Sequence, residues 1–200
     1  MIFLVKKMVE IISEGYKFKH GSYKIIKKIG RGGQCNVYLA EKGKEVFALK
    51  ELHATHDDPS IQAGYIKMFK REYELLSVLA HPVLPKAYDY FQEHNRHFIA
   101  VEFISGENLS DIMNRIKKPF PADVVLEIGF KISELLMYLS LRTPPVFLRD
   151  IKPLNIIITC KGEVKFIDFT IAREHCSDRG DTLRLGSPGY APPEQYNGKS

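Results

Sequence analysis

The stretch "FLRDIKPLNIII", Phe147 to Ile158, crowds Arg149, Asp150, Lys152 and Asn155 ahead of a run of isoleucines. Charges and an amide at the mouth of an apolar strand are costly unless they are paired or used. Asp168 follows in "VKFIDFT". Between them "NIIIT", "CKGE" and "VKFID" predict a β-hairpin, whose end brings Asn155 and Asp168 together beside Asp150. Two oxygen donors at the edge of a nucleotide site suit Mg²⁺, which keeps phosphate oxygens as further ligands. Asp150 is then left to orient or deprotonate a hydroxyl. Turn-capping Asp and Asn residues are the ordinary alternative, and their concentration around Lys152 argues against it.

Two further groups carry chemistry. "IGRGGQCNV" contains Gly30, Gly32 and Gly33. A dinucleotide-binding loop runs from strand to helix, whereas this one runs from strand to strand. A P-loop reading of the terminal "GKS" fails because Pro193 stands where the upstream glycine belongs. What remains is a glycine turn between antiparallel strands, able to lay backbone N–H groups against phosphates. In "VFALK", alternation puts Val46, Ala48 and Lys50 on one strand face. The small Ala48 leaves room for a flat ligand and Lys50 offers a cation. Taken alone, Lys50 would be read as a strand-end lysine reaching for water. The following helix changes that, because Glu72 falls within a stripe formed by Tyr65, Phe69, Leu76 and Leu79. Its helical neighbours Met68, Phe69, Leu75 and Leu76 provide no cation, while Glu74 has Lys70 and Arg71 at hand. A carboxylate on a buried face needs a partner, and Lys50 is the candidate.

The elements that must position these groups change character along the chain. From Tyr23 to Glu51 the pattern is extended, with a hairpin turning at Lys42-Gly43-Lys44. A helix is predicted over about Ile61 to Ala80, stopped by His81-Pro82 and Pro85. Short strands follow near Ala87–Phe91 and Phe98–Glu102. "SGENL" reads as a linker, since Ser105, Gly106 and Asn108 favour turns. Helical pattern then dominates, notably from Ala122 to Leu141. A strand-rich first half and a helix-rich second half predict an α+β fold of two lobes.

Composition sets the limits. The 200 residues are 44% hydrophobic and 26% charged with a net charge of +5, as in a globular protein with a core. The mild basic bias suits an anionic ligand such as a nucleotide, and no Lys/Arg block argues for nucleic acid. Cys35, Cys160 and Cys176 form no CxxC pair, so neither a zinc site nor a disulfide framework is supported and a reducing compartment fits. His53, His56, Asp57 and Asp58 have a spacing that could hold a metal, but a solvated loop is the simpler account. "MIFLVKKMVEII" is broken by Lys6 and Lys7, too short for a signal or a membrane helix, and has no assigned role.

With these residues in view, the sequence resembles the eukaryotic-type protein kinases, and more closely the bacterial serine/threonine kinases of that type. The motifs occur in order from Tyr23 to the last residue: "IGRGGQCNV", "FALK", "REYELL…HPVLP", "VEF", "LRDIKPLN", "IDFT" and "GSPGYAPPE". The resemblance implies a bilobal kinase fold, with residues 1–20 as an N-terminal extension, 21–104 as the N-lobe and hinge, and 105–200 as a partial C-lobe. It implies ATP and Mg²⁺ as cofactors and phosphoryl transfer to Ser/Thr hydroxyls of protein substrates. By position, Lys50 would hold the α/β-phosphates and pair with Glu72, Asp150 would be the base, and Lys152 would steady the γ-phosphate. Asn155 and Asp168 would hold Mg²⁺. Glu102 to Ile104 would be the hinge, and Ile29, Val37, Ala48 and Ile157 would sandwich adenine, with Gly30, Gly32 and Gly33 over the phosphates. Arg149 would report activation-loop phosphorylation, at Thr182 first and Ser177 next. A cytoplasmic protein is implied, with no membrane segment in this chain, no nucleic-acid partner, and room for a dimer in trans-autophosphorylation.

Departures from the family pattern qualify this. Leu148 replaces a histidine whose role is packing, and Cys35 replaces the third loop glycine. Thr170 replaces the glycine of the metal-binding triplet, where a β-branched residue restricts backbone flips and hence the activation-segment switch. Pro192 replaces an alanine. The family continues past Glu194 with further helices, so the resemblance implies a truncated chain with apolar surface uncovered on the Ala122–Leu141 helix and reduced stability or activity in isolation. The alternatives are a pseudokinase or inactive fragment that binds nucleotide or partners, and a small-molecule kinase of the antibiotic-phosphotransferase type. Lys152 and "GSPGYAPPE" favour a protein substrate over the latter.

Overall fold

The computed structural model describes residues 11–169, 172–174 and 187–196. The chain divides into two compact units, Met1–Lys67 with Ala87–Phe103, and Met68–Lys86 with Ile104–Ser200.

The first unit is built on an antiparallel sheet of β1 (Lys24–Arg31), β2 (Cys35–Lys42), β3 (Glu45–Leu52), β4 (Ala87–Glu93) and β5 (Arg96–Glu102), in the order β1-β2-β3-β5-β4. Its hairpins turn where the backbone can. Gly43 has φ +66°, and His94 and Asn95 have φ 50° and 61°, the mirror-image turn that matches strand twist. Register sets the faces. Val37 pairs with Lys50 and Leu39 with Ala48, whereas Tyr38 pairs with Leu49 and Ala40 with Phe47. The second of these faces carries the core, with Ile25, Tyr38, Ala40, Phe47, Leu49, Phe91, Phe98 and Ala100 all buried.

That core is closed by residues to which the sequence pattern attaches no role. Ile12, Phe18 and Tyr23 belong to the same cluster. Phe18 meets Phe98 and Phe91 edge-on at 4.7 and 5.4 Å, and Tyr23 stacks on Phe91 at 5.7 Å. Glu93 fastens the segment, accepting from the Tyr16 hydroxyl (2.9 Å) and from the Lys19 and His20 N–H groups (3.0 and 3.2 Å). The same face buries Glu51 completely. Its carboxylate accepts from Asn36 Nδ2 (3.1 Å) and Tyr38 OH (2.9 Å) and is paired with the Arg96 guanidinium. This supplies the donors that a buried charge demands.

Between the strands, α1 (Pro59–Val78) buries Phe69, Glu72, Leu75 and Leu76. It starts earlier than the apolar stripe predicts, because Pro59 occupies the first helical position and Asp58 caps it, accepting from Ser60 N–H at 2.8 Å. His56 Nδ1 in turn accepts from Asp58 N–H at 3.0 Å. The stretch from His56 to Asp58 is thus an exposed loop that caps the helix.

In the second unit, β6 (Gly106–Asn108), α2 (Leu109–Ile116), α3 (Ala122–Ser140), β7 (Val146–Phe147), β8 (Ile156–Thr159), β9 (Val164–Phe166), β10 (Arg173–Glu174) and α4 (Pro193–Tyr196) follow in order. The hairpin β8–β9 forms as its pattern predicts. The stretch read as a linker does not stay irregular. Gly106–Asn108 pairs antiparallel with β8, and Asn108 caps α2, its Oδ1 accepting from Asp111 N–H at 2.9 Å. Turn-favouring residues serve here as strand and cap because β8 offers an unpaired edge. A Cβ on Gly106 would meet the Ile158 carbonyl and Ile157 Cγ2 closer than real Cβ contacts allow. The glycine is there for close approach rather than for a turn. Ile132, Leu135 and Leu139 of α3 are buried, while Leu126, Phe130 and Met137 are exposed. No helix among the described residues is long and apolar enough to cross a membrane.

Two expectations follow. Burial, reinforced by Glu51, pushes the Tyr38 phenol from its ordinary 10.0 to about 12. Above pH 10 the unfolded chain gives up this proton while the folded chain keeps it, so stability falls as pH rises from 10 through about 12. Urea midpoints across that window should fall less in Tyr38→Phe than in wild type. Gly106→Ala should force β6 from β8 and cost about 1–3 kcal/mol in urea unfolding; an unchanged midpoint would show that the strand pair adjusts freely.

Candidate active site

The loop from β7 to β8 gathers the charged residues in the second unit. Asp150 Oδ2 accepts from Lys152 Nζ at 2.6 Å and from Asn155 Nδ2 at 3.1 Å. Asn155 Nδ2 also donates to the Asp150 carbonyl at 2.9 Å. Ser187 completes the arrangement. Its hydroxyl donates to Asp150 Oδ1 at 2.6 Å and accepts from Lys152 Nζ at 2.6 Å. Both carboxylate oxygens are engaged, so the Asp150 side chain is held in one orientation. Leu148 is half-buried, in keeping with a packing role.

A single 3₁₀ turn, Pro153–Asn155, delivers Asn155 to the mouth of β8, and Asn155 is buried at 4% exposure. With its amide nitrogen committed to Asp150, Oδ1 is left as the acceptor that can face a cation. The Ile167 N–H donates to the Asn155 carbonyl at 3.0 Å, tying the residue before Asp168 to Asn155. Phe169, buried at 1%, packs edge-on against Phe166 at 5.7 Å and anchors the chain after Asp168. An amide oxygen and one carboxylate are too few for a closed metal cage. They fit Mg²⁺ held jointly with phosphate oxygens.

In the first unit the sheet register lines up another group. Gly30 pairs with Val37 and Val37 with Lys50, and Ala48 lies one step along the same face. Lys50 is 8% exposed, which a lysine merely reaching for water would not be. Ile29 sits at a register shift of β1 and is exposed, and Glu102 ends β5 opposite Phe47. Glu72, Ile104 and Ile157 lie in the second unit, with Glu72 1% exposed and Ile104 and Ile157 half-buried. Thr170, Ser177 and Thr182 lie outside the described residues.

Ser187 and Gln195 were not singled out by sequence. Gln195 is buried and its Nε2 donates to the Arg149 carbonyl at 3.0 Å. Both belong to "GSPGYAPPEQ", where a hydroxyl and an amide among prolines and glycines were the available signal. What they touch lies tens of residues upstream and could not be read from spacing.

Known proteins resemble this chain across most of its length. The protein kinase domain pattern matches residues 23–200. An Aurora kinase of Schizosaccharomyces pombe is 34% identical over 185 residues, covering 92% of this chain and 50% of that protein. The probable serine/threonine-protein kinase PknB of Lactococcus lactis is 32% identical over 185 residues, covering 89% and 28%. The serine/threonine-protein kinase PrkC of Bacillus subtilis is 33% identical over 183 residues, covering 89% and 27%. This chain therefore spans about half or less of these relatives. The apo form of PpkA-294 shares the fold, with a TM-score of 0.70 at 21% identity over 80% of this chain and 61% of that one.

Proposed function

Because this chain belongs to the protein kinase domain family, we propose that it transfers the γ-phosphoryl group of ATP to Ser/Thr hydroxyls of protein substrates. The observation that carries this reading is the Ser187 hydroxyl donating to Asp150 Oδ1 at 2.6 Å. A hydroxyl already sits where Asp150 can accept its proton, within the reach a general base needs.

Asp150 is the base in this reading, orienting the incoming hydroxyl and taking its proton as the phosphoryl group transfers. Lys152, on Asp150 Oδ2 and Ser187 Oγ, brings a cation to the charge that develops on the phosphoryl oxygens. Asn155 Oδ1 and Asp168 would hold Mg²⁺, which when bound neutralises β- and γ-phosphate charge. Lys50 pairs with Glu72 and contacts the α/β-phosphates. Gly30, Gly32 and Gly33 cover the phosphates, Ile29, Val37, Ala48 and Ile157 enclose adenine, and Glu102 to Ile104 contact its edge. Lys50 and Glu72 are each buried, as charges that are used rather than solvated. We assign the protein to the cytoplasm and allow a dimer for trans-autophosphorylation.

Radiolabel transfer from ATP to a generic protein substrate tests the reaction. Asp150→Ala should reduce labelling by about 10²–10⁴-fold. Equal labelling by wild type and variant would sink the catalytic assignment, and nucleotide binding without any transfer by wild type would favour the pseudokinase alternative. Ser187→Ala should lower kcat roughly tenfold, the loss of one hydrogen bond to a charged group, while Ser187→Thr keeps most of the rate. An unchanged kcat in Ser187→Ala would make that hydroxyl a bystander.

A further inference from the structure

The turn between β1 and β2 contains two consecutive glycines, Gly32 and Gly33. The peptide joining them has little steric preference for either orientation. The two orientations differ in sign. One presents an N–H to an anion and the other presents a carbonyl oxygen, which repels it. A glycine turn that recognises phosphate therefore needs something to choose between them.

The chain just past β3 makes that choice. The His53 and Ala54 N–H groups donate to the Gln34 carbonyl at 2.8 and 3.1 Å. The His53 ring reaches the Gly32 carbonyl, Nε2 to O, at 3.1 Å. A carbonyl oxygen only accepts, so Nε2 carries the hydrogen. Within the turn, the Gly32 N–H is already taken by the Cys35 carbonyl at 2.8 Å. The Gly32–Gly33 peptide is planar and trans, so its C=O and N–H point to opposite sides. With the carbonyl turned to His53, the Gly33 N–H points away from it. Nothing lies within 4 Å of where a Gly33 Cβ would sit.

We propose that His53 is a positioning residue for phosphate recognition: its ring holds the Gly32 carbonyl to one side, so that the Gly33 N–H on the same peptide plane is presented to the phosphoryl oxygens of the nucleotide. The inference rests on the nucleotide-binding reading above and assigns a task to a histidine that otherwise reads as a loop residue. It is also specific to phosphate, because adenosine presents no anion for the Gly33 N–H to meet.

Calorimetry on the full chain with ATP and Mg²⁺, and separately with adenosine, tests it. His53→Ala should weaken ATP binding about fivefold, the worth of one hydrogen bond, and leave adenosine binding unchanged. KM for ATP should rise with kcat retained. His53→Phe, which keeps bulk without the donor, should behave like His53→Ala. His53→Gln, whose Nε2 donates from a similar reach, should restore most of the ATP affinity. Equal weakening of ATP and adenosine, or no change for either, would overturn the proposal. So would failure of His53→Gln to differ from His53→Phe. If the wild type itself binds ATP no better than adenosine, the phosphate-binding reading fails first, and this inference with it.

Discussion

The second unit is organised around one requirement, that the Asp150 carboxylate stay in a single orientation. A short aspartate on a loop rotates freely unless both oxygens are engaged. Here Lys152 and Asn155 engage one oxygen and Ser187 the other. Those partners come from different parts of the chain, so holding Asp150 also fixes the 3₁₀ turn, the entrance to β8 and the segment containing Ser187. Gln195 repeats the tie through the Arg149 carbonyl. In the proposed reaction, preorganisation of this kind would place the reorganisation cost in folding.

The sheet unit meets a different constraint. One face carries Lys50 and the small Ala48, and the core lies on the other. That face contains Glu51, directly beside Lys50 in sequence and fully buried. Alternation makes this unavoidable, because the residue after Lys50 points to the opposite face. The sheet accommodates the charge with Asn36, Tyr38 and Arg96, and the segment carrying Ile12 and Phe18 closes the apolar remainder. The Ile12 N–H donates to the Tyr38 hydroxyl at 3.3 Å, linking the segment to the polar network. The glycine turn lies at the end of the same strands and takes its orientation from the residues after β3.

Much of this was legible in the residues themselves. Strand alternation around Val46–Lys50, the stripe containing Glu72 and the hairpin from Asn155 to Asp168 are local patterns with periods of 2 or 3.6, and each element formed around its pattern, the helix beginning earlier at Pro59. The ordered motifs were equally readable, because each concentrates unusual residue types within a few positions. The errors were local as well. "SGENL" has turn chemistry, yet Gly106–Asn108 became a strand because β8 offered an edge and Gly106 alone could approach it closely. The His/Asp run, read as a solvated loop, is an exposed loop whose end also caps α1 through Asp58, a role its spacing did not show.

The sequence by itself determined which side chains are available for chemistry, which strand face Lys50 occupies, and which family the chain joins, because those follow from residue type and short-range period. Tertiary structure decided which distant groups meet. Ser187 reaches Asp150, Arg96 reaches Glu51, Phe18 enters the sheet core and His53 turns back onto the glycine turn. Each of these contacts joins residues separated by a loop whose path depends on what the rest of the chain buries. Short-range periodicity carries no information about that path; only the packed chain does.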